Sequence, residues 1–152
     1  MFRGTAKGIA LLLVVGLCLQ LFPSISARAQ TGDSARVKEL NFVFLHGAGG
    51  HPGSMQLLAD TIMEQIPAYI SAYEEANPGI KIQIDTLQRF YPNNVDIETW
   101  AENIANTIKK HFSNKKNLVL IGHSMGGKTA LHLAANNVGG LTEKIAMVVT
   151  IN

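Results

Sequence analysis

Cysteine is almost absent from this chain. The 152 residues hold one, Cys18, inside the N-terminal apolar run and far from any histidine. A disulfide framework is therefore excluded, and thiol chemistry has no second sulfur to work with. Metal-binding patterns are missing as well. The five histidines are scattered, and neither an H-E-x-x-H stretch nor a pair of carboxylates at ligand spacing occurs. Charge is sparse, at 16% of residues. The only basic cluster, Lys109, Lys110, Lys115 and Lys116, flanks a helix end and a turn, where cations complement the helix dipole, so no nucleic-acid surface is indicated. No apolar run reaches the roughly 20 residues needed to cross a bilayer. Internal repeats and low-complexity segments are also absent.

What remains is a composition rich enough in apolar residues (47%) to bury a core, on a length that suits one domain. The first 29 residues stand apart. Arg3 and Lys7 precede the apolar run Ile9–Leu19, and Pro23 and SISARAQ follow it, with Ala27-Arg28-Ala29 as an A-x-A site. This is the layout of a cleaved secretory signal peptide, which implies a secreted or periplasmic protein with no stable membrane span once residues 1–29 are removed. Lipid attachment at Cys18 is disfavoured by the bulky Leu17 before it. Loss of Arg3, Lys7 and Arg28 takes three of 13 basic residues and none of the 11 acids, so the net charge moves from +2 to −1.

Residues 30–38 are polar and read as a loose mature N-terminus, and 39–152 as the folded part. Leu40 and Phe42–Leu45 form a continuous apolar run, as a strand buried on both faces does, and the run enters HGAGG. Ser54 is placed to cap a helix over about 55–75, with Leu58, Ile62, Ile66 and Ile70 near helical spacing and Pro67 expected to kink or split it. Asn77-Pro78-Gly79 is a turn, and 80–87 alternate as a second strand. A helix is expected from about Asp96 to Phe112, with Trp100 on its core-facing side. NLVLIG is a third strand, GHSMGGKTALHLAAN a turn opening into a helix that Gly139-Gly140 ends, and 144–151 a fourth strand. Strands alternating with helices predict an α/β three-layer sandwich with a mostly parallel sheet.

The stretch GHSMGGKT, Gly122 to Thr129, has two readings. As G-x-x-x-x-G-K-T it is a phosphate-binding loop with Lys128 directed at a nucleotide. As G-x-S-x-G it is a nucleophile elbow that presents Ser124 on a sharp turn, with Gly122 and Gly126 leaving room for the bend. An elbow enzyme also needs two backbone N–H groups for the oxyanion: one from the residue after the nucleophile, Met125, and one from a loop after an earlier strand. His46-Gly47-Ala48-Gly49-Gly50 supplies such a loop. A phosphate loop leaves HGAGG unexplained and lacks an acid at the end of the following strand, so the elbow is preferred. No cofactor is called for.

HGAGG paired with GHSMGG resembles the α/β-hydrolase fold family over residues 40–152, with the closest likeness to its lipase, esterase and GPI-inositol-deacylase-like branches. The resemblance implies a serine hydrolase of carboxylic, acyl or lipid esters, and the signal-like residues 1–29 make it a secreted one. It implies Ser124 as nucleophile, Ala48 and Met125 as backbone oxyanion donors, and His46, Gly47, Gly122, His123 and Gly126 as supports. His51 is expected near the acyl pocket, and His111 and His132 as surface or packing residues. The family's acid and histidine follow the serine in that order. After Ser124 this chain holds only Glu143 and His132, neither at the usual place, so the resemblance covers the N-terminal portion of the fold, and the chain reads as truncated after the strand that follows the elbow helix. A non-catalytic binding module of the same fold is the reading from another class.

Overall fold

The computed structural model describes residues 36–88 and 95–151. The signal segment, most of the loose N-terminus, Phe90, Tyr91 and Asn152 lie outside the described residues. Chain contacts divide the described residues into two compact units: Thr61–Ile82 with 36–38, and Glu39–Asp60 with the described residues from Gln83 on. No helix among the described residues is long and apolar enough to cross a membrane.

The first unit holds most of helix α1 (Gln56–Ala76). Ile62, Ile66 and Ile70 recur every fourth residue and are buried, as one stripe of a helix must be. Pro67 does not split the helix, contrary to expectation. It sits on the exposed face, where water can satisfy the carbonyl that a missing proline N–H leaves free. Ser54 is not the helix cap either. It lies in a 3-10 turn, Pro52–Met55, and its hydroxyl accepts from His51 N–H at 3.1 Å. The Asn77-Pro78-Gly79 turn forms as expected, with Gly79 at φ 85°. Glu74 then accepts from Lys81 Nζ at 2.7 Å and Ile82 N–H at 2.8 Å, and these bonds, the Lys81 one foremost, hold its carboxyl below the usual range.

The sheet has the order β2-β1-β3-β4, formed by β1 (Arg36–Leu45), β2 (Ile80–Gln88), β3 (Leu118–His123) and β4 (Ile145–Ile151). β1 pairs parallel with β3, and β3 parallel with β4. Strand β1 starts at Arg36, inside the segment read as loose, because Arg36 N–H donates to Gly79 O at 2.8 Å. Both faces of the central strands are buried: Val43, Leu45, Leu118 and Leu120 on one side, Phe42, Phe44, Val119 and Ile121 on the other. The first set joins helix α2 (Ile97–Phe112) and helix α3 (Met125–Ala135) in one core. Trp100, Ala101, Ile104, Ala105, Ile108 and Phe112 form the buried stripe of α2. Each such large side chain contributes roughly 1.5–3 kcal/mol by leaving water. Asp96 caps α2 by accepting from Thr99 N–H at 2.8 Å, one of the donors that a helix start leaves unpaired.

Two asparagines align the central strands at their beginnings. Asn41 N–H donates to Asn117 O at 3.1 Å and Asn41 Nδ2 to Lys116 O at 2.6 Å, while Asn117 Nδ2 donates to Glu39 O at 3.1 Å. Asn117 adopts φ 55°, a conformation asparagine tolerates. Helix α3 ends at Ala135, earlier than the glycine pair. Left-handed Asn137 turns the chain, and Gly139-Gly140 belong to a separate 3-10 turn. Strand β4 is the sheet edge and only half-buried over Ile145–Val149.

Lys115 is not merely a solvated helix-end cation. It donates to Asp85 Oδ2 at 3.0 Å, with His111 Nε2 at 3.5 Å from Oδ1. Burial acts to raise the Asp85 carboxyl, but the Lys115 and Thr86 N–H bonds and the neighbouring positive charge outweigh it and leave it below its ordinary value. A lowered folded-state value means that the charged form stabilises the fold above the unfolded value of about 3.9, and that this is lost as pH falls. Asp85→Asn should therefore lower the urea midpoint at pH 7, and the gap from wild type should close below about pH 4.

Candidate active site

The register pairs Leu45 with Gly122, so β1 and β3 end level. His46–Gly50 and His123–Ser124 thus leave the sheet together at its carboxyl end. The strand order also puts β2 and β3 on opposite sides of β1. That is the switch point at which open α/β sheets form their ligand crevice.

A single residue, Ser124, separates the end of β3 from the start of α3. It adopts φ 53° and ψ −120°, a conformation that costs on the order of 1–3 kcal/mol for a residue with a side chain. Three hydrogen bonds hold it there. Its N–H donates to Ile151 O on β4 at 2.8 Å, and its carbonyl accepts from Gly127 N–H at 3.0 Å and Lys128 N–H at 3.2 Å. The flanking glycines are obligatory. A Cβ on Gly122 would stand 2.5 Å from the Gly126 carbonyl, and one on Gly126 would stand 2.5 Å from His46 O. The first turn of α3 is therefore pressed against the end of β1. Ser124 and His123 are exposed, and Met125 is half-buried.

This geometry overturns the phosphate-loop reading. A phosphate cradle needs an open loop of amides between strand and helix, yet here the helix has already begun at Met125 and takes up Gly126 and Gly127. Thr129, which would meet a magnesium ion, is fully buried, and its hydroxyl donates to Met125 O at 2.9 Å.

The HGAGG loop stands directly beside the elbow. A Cβ on Gly47 would lie 3.1 Å from Ser124 Cβ. Gly50 N–H donates to Gly47 O at 3.0 Å, closing a turn with Ala48 and Gly49 at its centre. Gly49 has φ 71°, the positive value that a type II turn demands at its third position. His46 is buried, its Nδ1 lies 3.0 Å from the same Gly47 carbonyl, and its ring faces Trp100 at 6.4 Å. The carbonyl fixes Nδ1 as the protonated nitrogen, and the histidine anchors the loop from below. Neither the Ala48 nor the Met125 N–H is used in the hydrogen bonds that hold the two turns, as expected of amides at a turn centre and at a helix start.

The other histidines lie apart from this arrangement. His51 is exposed at the head of the 3-10 turn. His132 is half-buried two turns along α3, with Asn136 Nδ2 at 3.2 Å from its Nδ1. His111 sits edge-on to Phe112 at 4.5 Å. Glu143 is in the exposed 3-10 turn before β4. Two contacts had no local signal in the sequence: the bond from Ser124 to Ile151, and the packing of Thr150 Cβ 3.2 Å from where a Gly127 Cβ would be.

Comparison with known proteins gives one family match and several similar chains. The family model described as alpha/beta hydrolase fold matches residues 41–152. The chain is 28% identical over 98 residues to protein phosphatase methylesterase 1 of Homo sapiens and of Pongo abelii, covering 63% of this chain and 24% of each relative. It thus spans about a quarter of the length of those curated relatives. A solved structure, the RedJ thioesterase from the prodiginine biosynthetic pathway of Streptomyces coelicolor, is similar over 90% of this chain and 46% of its own, at 17% identity and a TM-score of 0.35.

The glycines separate into two classes, and substitution should reveal them. Gly126→Ala drives a methyl into backbone carbonyls and should abolish soluble folded protein. Gly49→Ala meets nothing within 4 Å and should lower stability only by the cost of its positive φ, about 1–3 kcal/mol, read from urea denaturation.

Proposed function

The chain belongs to the α/β-hydrolase fold family, and on that premise we propose that it is the nucleophile-bearing part of a secreted serine hydrolase of carboxylic esters, acyl or lipid esters foremost. The observation that carries the reading is the close approach of Gly47 to Ser124, where an added Cβ would lie 3.1 Å from Ser124 Cβ, which sets a strained, exposed serine beside a glycine turn whose Ala48 amide takes no part in the hydrogen bonds that hold it. The methylesterase name of the curated relatives supports ester rather than nucleotide chemistry. Export rests on the signal-like residues 1–29.

In this mechanism Ser124 Oγ attacks the ester carbonyl carbon. The C–O π electrons move onto oxygen, and the Ala48 and Met125 N–H groups receive the negative charge. A general base takes the hydroxyl proton and passes it to the leaving alcohol as the C–O single bond breaks. Water then repeats the sequence on the acyl-serine. We place the base and its orienting acid outside these residues, where the family order of serine, acid and histidine puts them. The two amides act because they are already aimed when charge develops. Each such donor is worth about 10²–10³ in kcat.

A fluorophosphonate probe applied to the full gene product should label wild type and leave Ser124→Ala unlabelled, and p-nitrophenyl butyrate hydrolysis should vanish with it. Labelling that survives Ser124→Ala would overturn the assignment. Ala48→Pro removes one amide donor and should cut kcat by about 10²–10³ while leaving KM nearly unchanged.

A further inference from the structure

We propose that Gln88, at the carboxyl end of β2, is a positioning residue: its side-chain amide holds the Pro52 carbonyl, and so anchors the downstream end of the segment that carries the Ala48 amide. The inference rests on the serine-hydrolase reading above and adds a residue that lies in neither motif.

The stretch Gly47–His51 is soft by composition, since three of its five residues are glycine and glycine backbone is the least restrained. Ala48 and Gly49 are exposed, so packing does not fix them. Two local turns give the stretch its shape. Gly50 N–H donates to Gly47 O at 3.0 Å, while Ser54 N–H donates to His51 O at 2.9 Å and His51 N–H to Ser54 Oγ at 3.1 Å. Each of these bonds closes a turn on itself. None of them ties the turns to the sheet.

The two ends of the stretch are tied. Upstream, α3 presses on the carbonyls of Leu45 and His46. Downstream, Gln88 Nε2 donates to Pro52 O across 36 residues of sequence. Gln88 springs from a fixed point, because its neighbour Leu87 is buried in the core that also takes Val43, Leu45, Leu118 and Leu120. The sheet order puts β2 and β3 on opposite sides of β1. The elbow therefore holds the stretch from one side and Gln88 from the other, and Ala48 lies between the two anchors.

Loss of the Gln88 bond frees the downstream anchor, and the glycines let the stretch move. A misplacement of about 1 Å at a reacting centre costs roughly 10²-fold in rate. The cost falls on kcat, since an oxyanion donor matters most once the carbonyl oxygen carries charge.

The test uses three variants of the full gene product. Gln88→Leu keeps the length and removes the donor. Gln88→Glu keeps the shape and, when ionised, sets an acceptor against the Pro52 carbonyl. Gln88→Lys restores a donor. Turnover of p-nitrophenyl butyrate is normalised to folded protein, and amide hydrogen exchange is followed at residues 47–51. The leucine and glutamate variants should each lose about 10-fold in kcat with little change in KM, and exchange at Ala48 and Gly49 should quicken. The lysine variant should recover most of both. Wild-type kcat and exchange in the leucine and glutamate variants would overturn the proposal. So would a lower urea midpoint with kcat per folded molecule unchanged, which makes the bond merely structural, or a lysine variant as impaired as leucine. Failure of the serine reading is separately visible as turnover that survives Ser124→Ala, and the exchange measurement stands in either case.

Discussion

The packing of Gly126 against the carbonyl oxygens of Leu45 and His46 is the contact on which the rest depends. It admits no side chain. Because nothing intervenes, the first turn of α3 seats directly on the end of β1, and the residues that leave β1 and β3 are forced together. The asparagine clamp at the other end of these strands performs the complementary task. Asn41 and Asn117 set the strands level at their start, so Leu45 and Gly122 finish level. Level strand ends plus a helix that cannot stand off leave Gly47 and Ser124 side by side, with no room for a side chain on the glycine.

That arrangement places Ser124 in a backbone conformation it would not adopt alone. The restraint comes from three directions: β4 through the Ile151 carbonyl, α3 through the Gly127 and Lys128 amides, and β1 through the glycine contact. The core behind these elements is continuous, running from Val43 and Leu45 through Leu118 and Leu120 to the stripe of α2 and to Ala130 and Leu133 of α3. Burial of these groups outweighs the few kcal/mol of strain held at one residue. Strand β4 contributes least to that core and most directly to the elbow, since the carbonyl that receives the Ser124 amide lies at its end.

Local signals in the sequence were readable where one segment decides its own structure. Helix α2 was legible from Asp96 to Phe112 because its cap, its apolar stripe and its basic last turn all lie within it. The elbow and the HGAGG turn were legible because glycine spacing records a steric demand directly. Pro67 misled because the exposed side of a helix tolerates a missing N–H, and exposure is not written in the local sequence. Ser54 misled because its hydroxyl turned to His51 instead of to the α-helix. The end of α3 was displaced because Asn137 took the left-handed turn that glycine was expected to take. The choice between elbow and phosphate loop depended on where α3 begins, a matter of one or two residues. The bond from Ser124 to Ile151 joins parts of the chain distant in sequence, so no window around either residue shows it.

The most direct measurement is a crystal structure of the full gene product covalently phosphonylated at Ser124. The account predicts that the phosphonyl oxygen lies about 2.7–3.1 Å from both the Ala48 and the Met125 amide nitrogens, with Gly47 still against the serine. A phosphonyl oxygen turned to solvent, or an HGAGG turn displaced from the elbow, would contradict it.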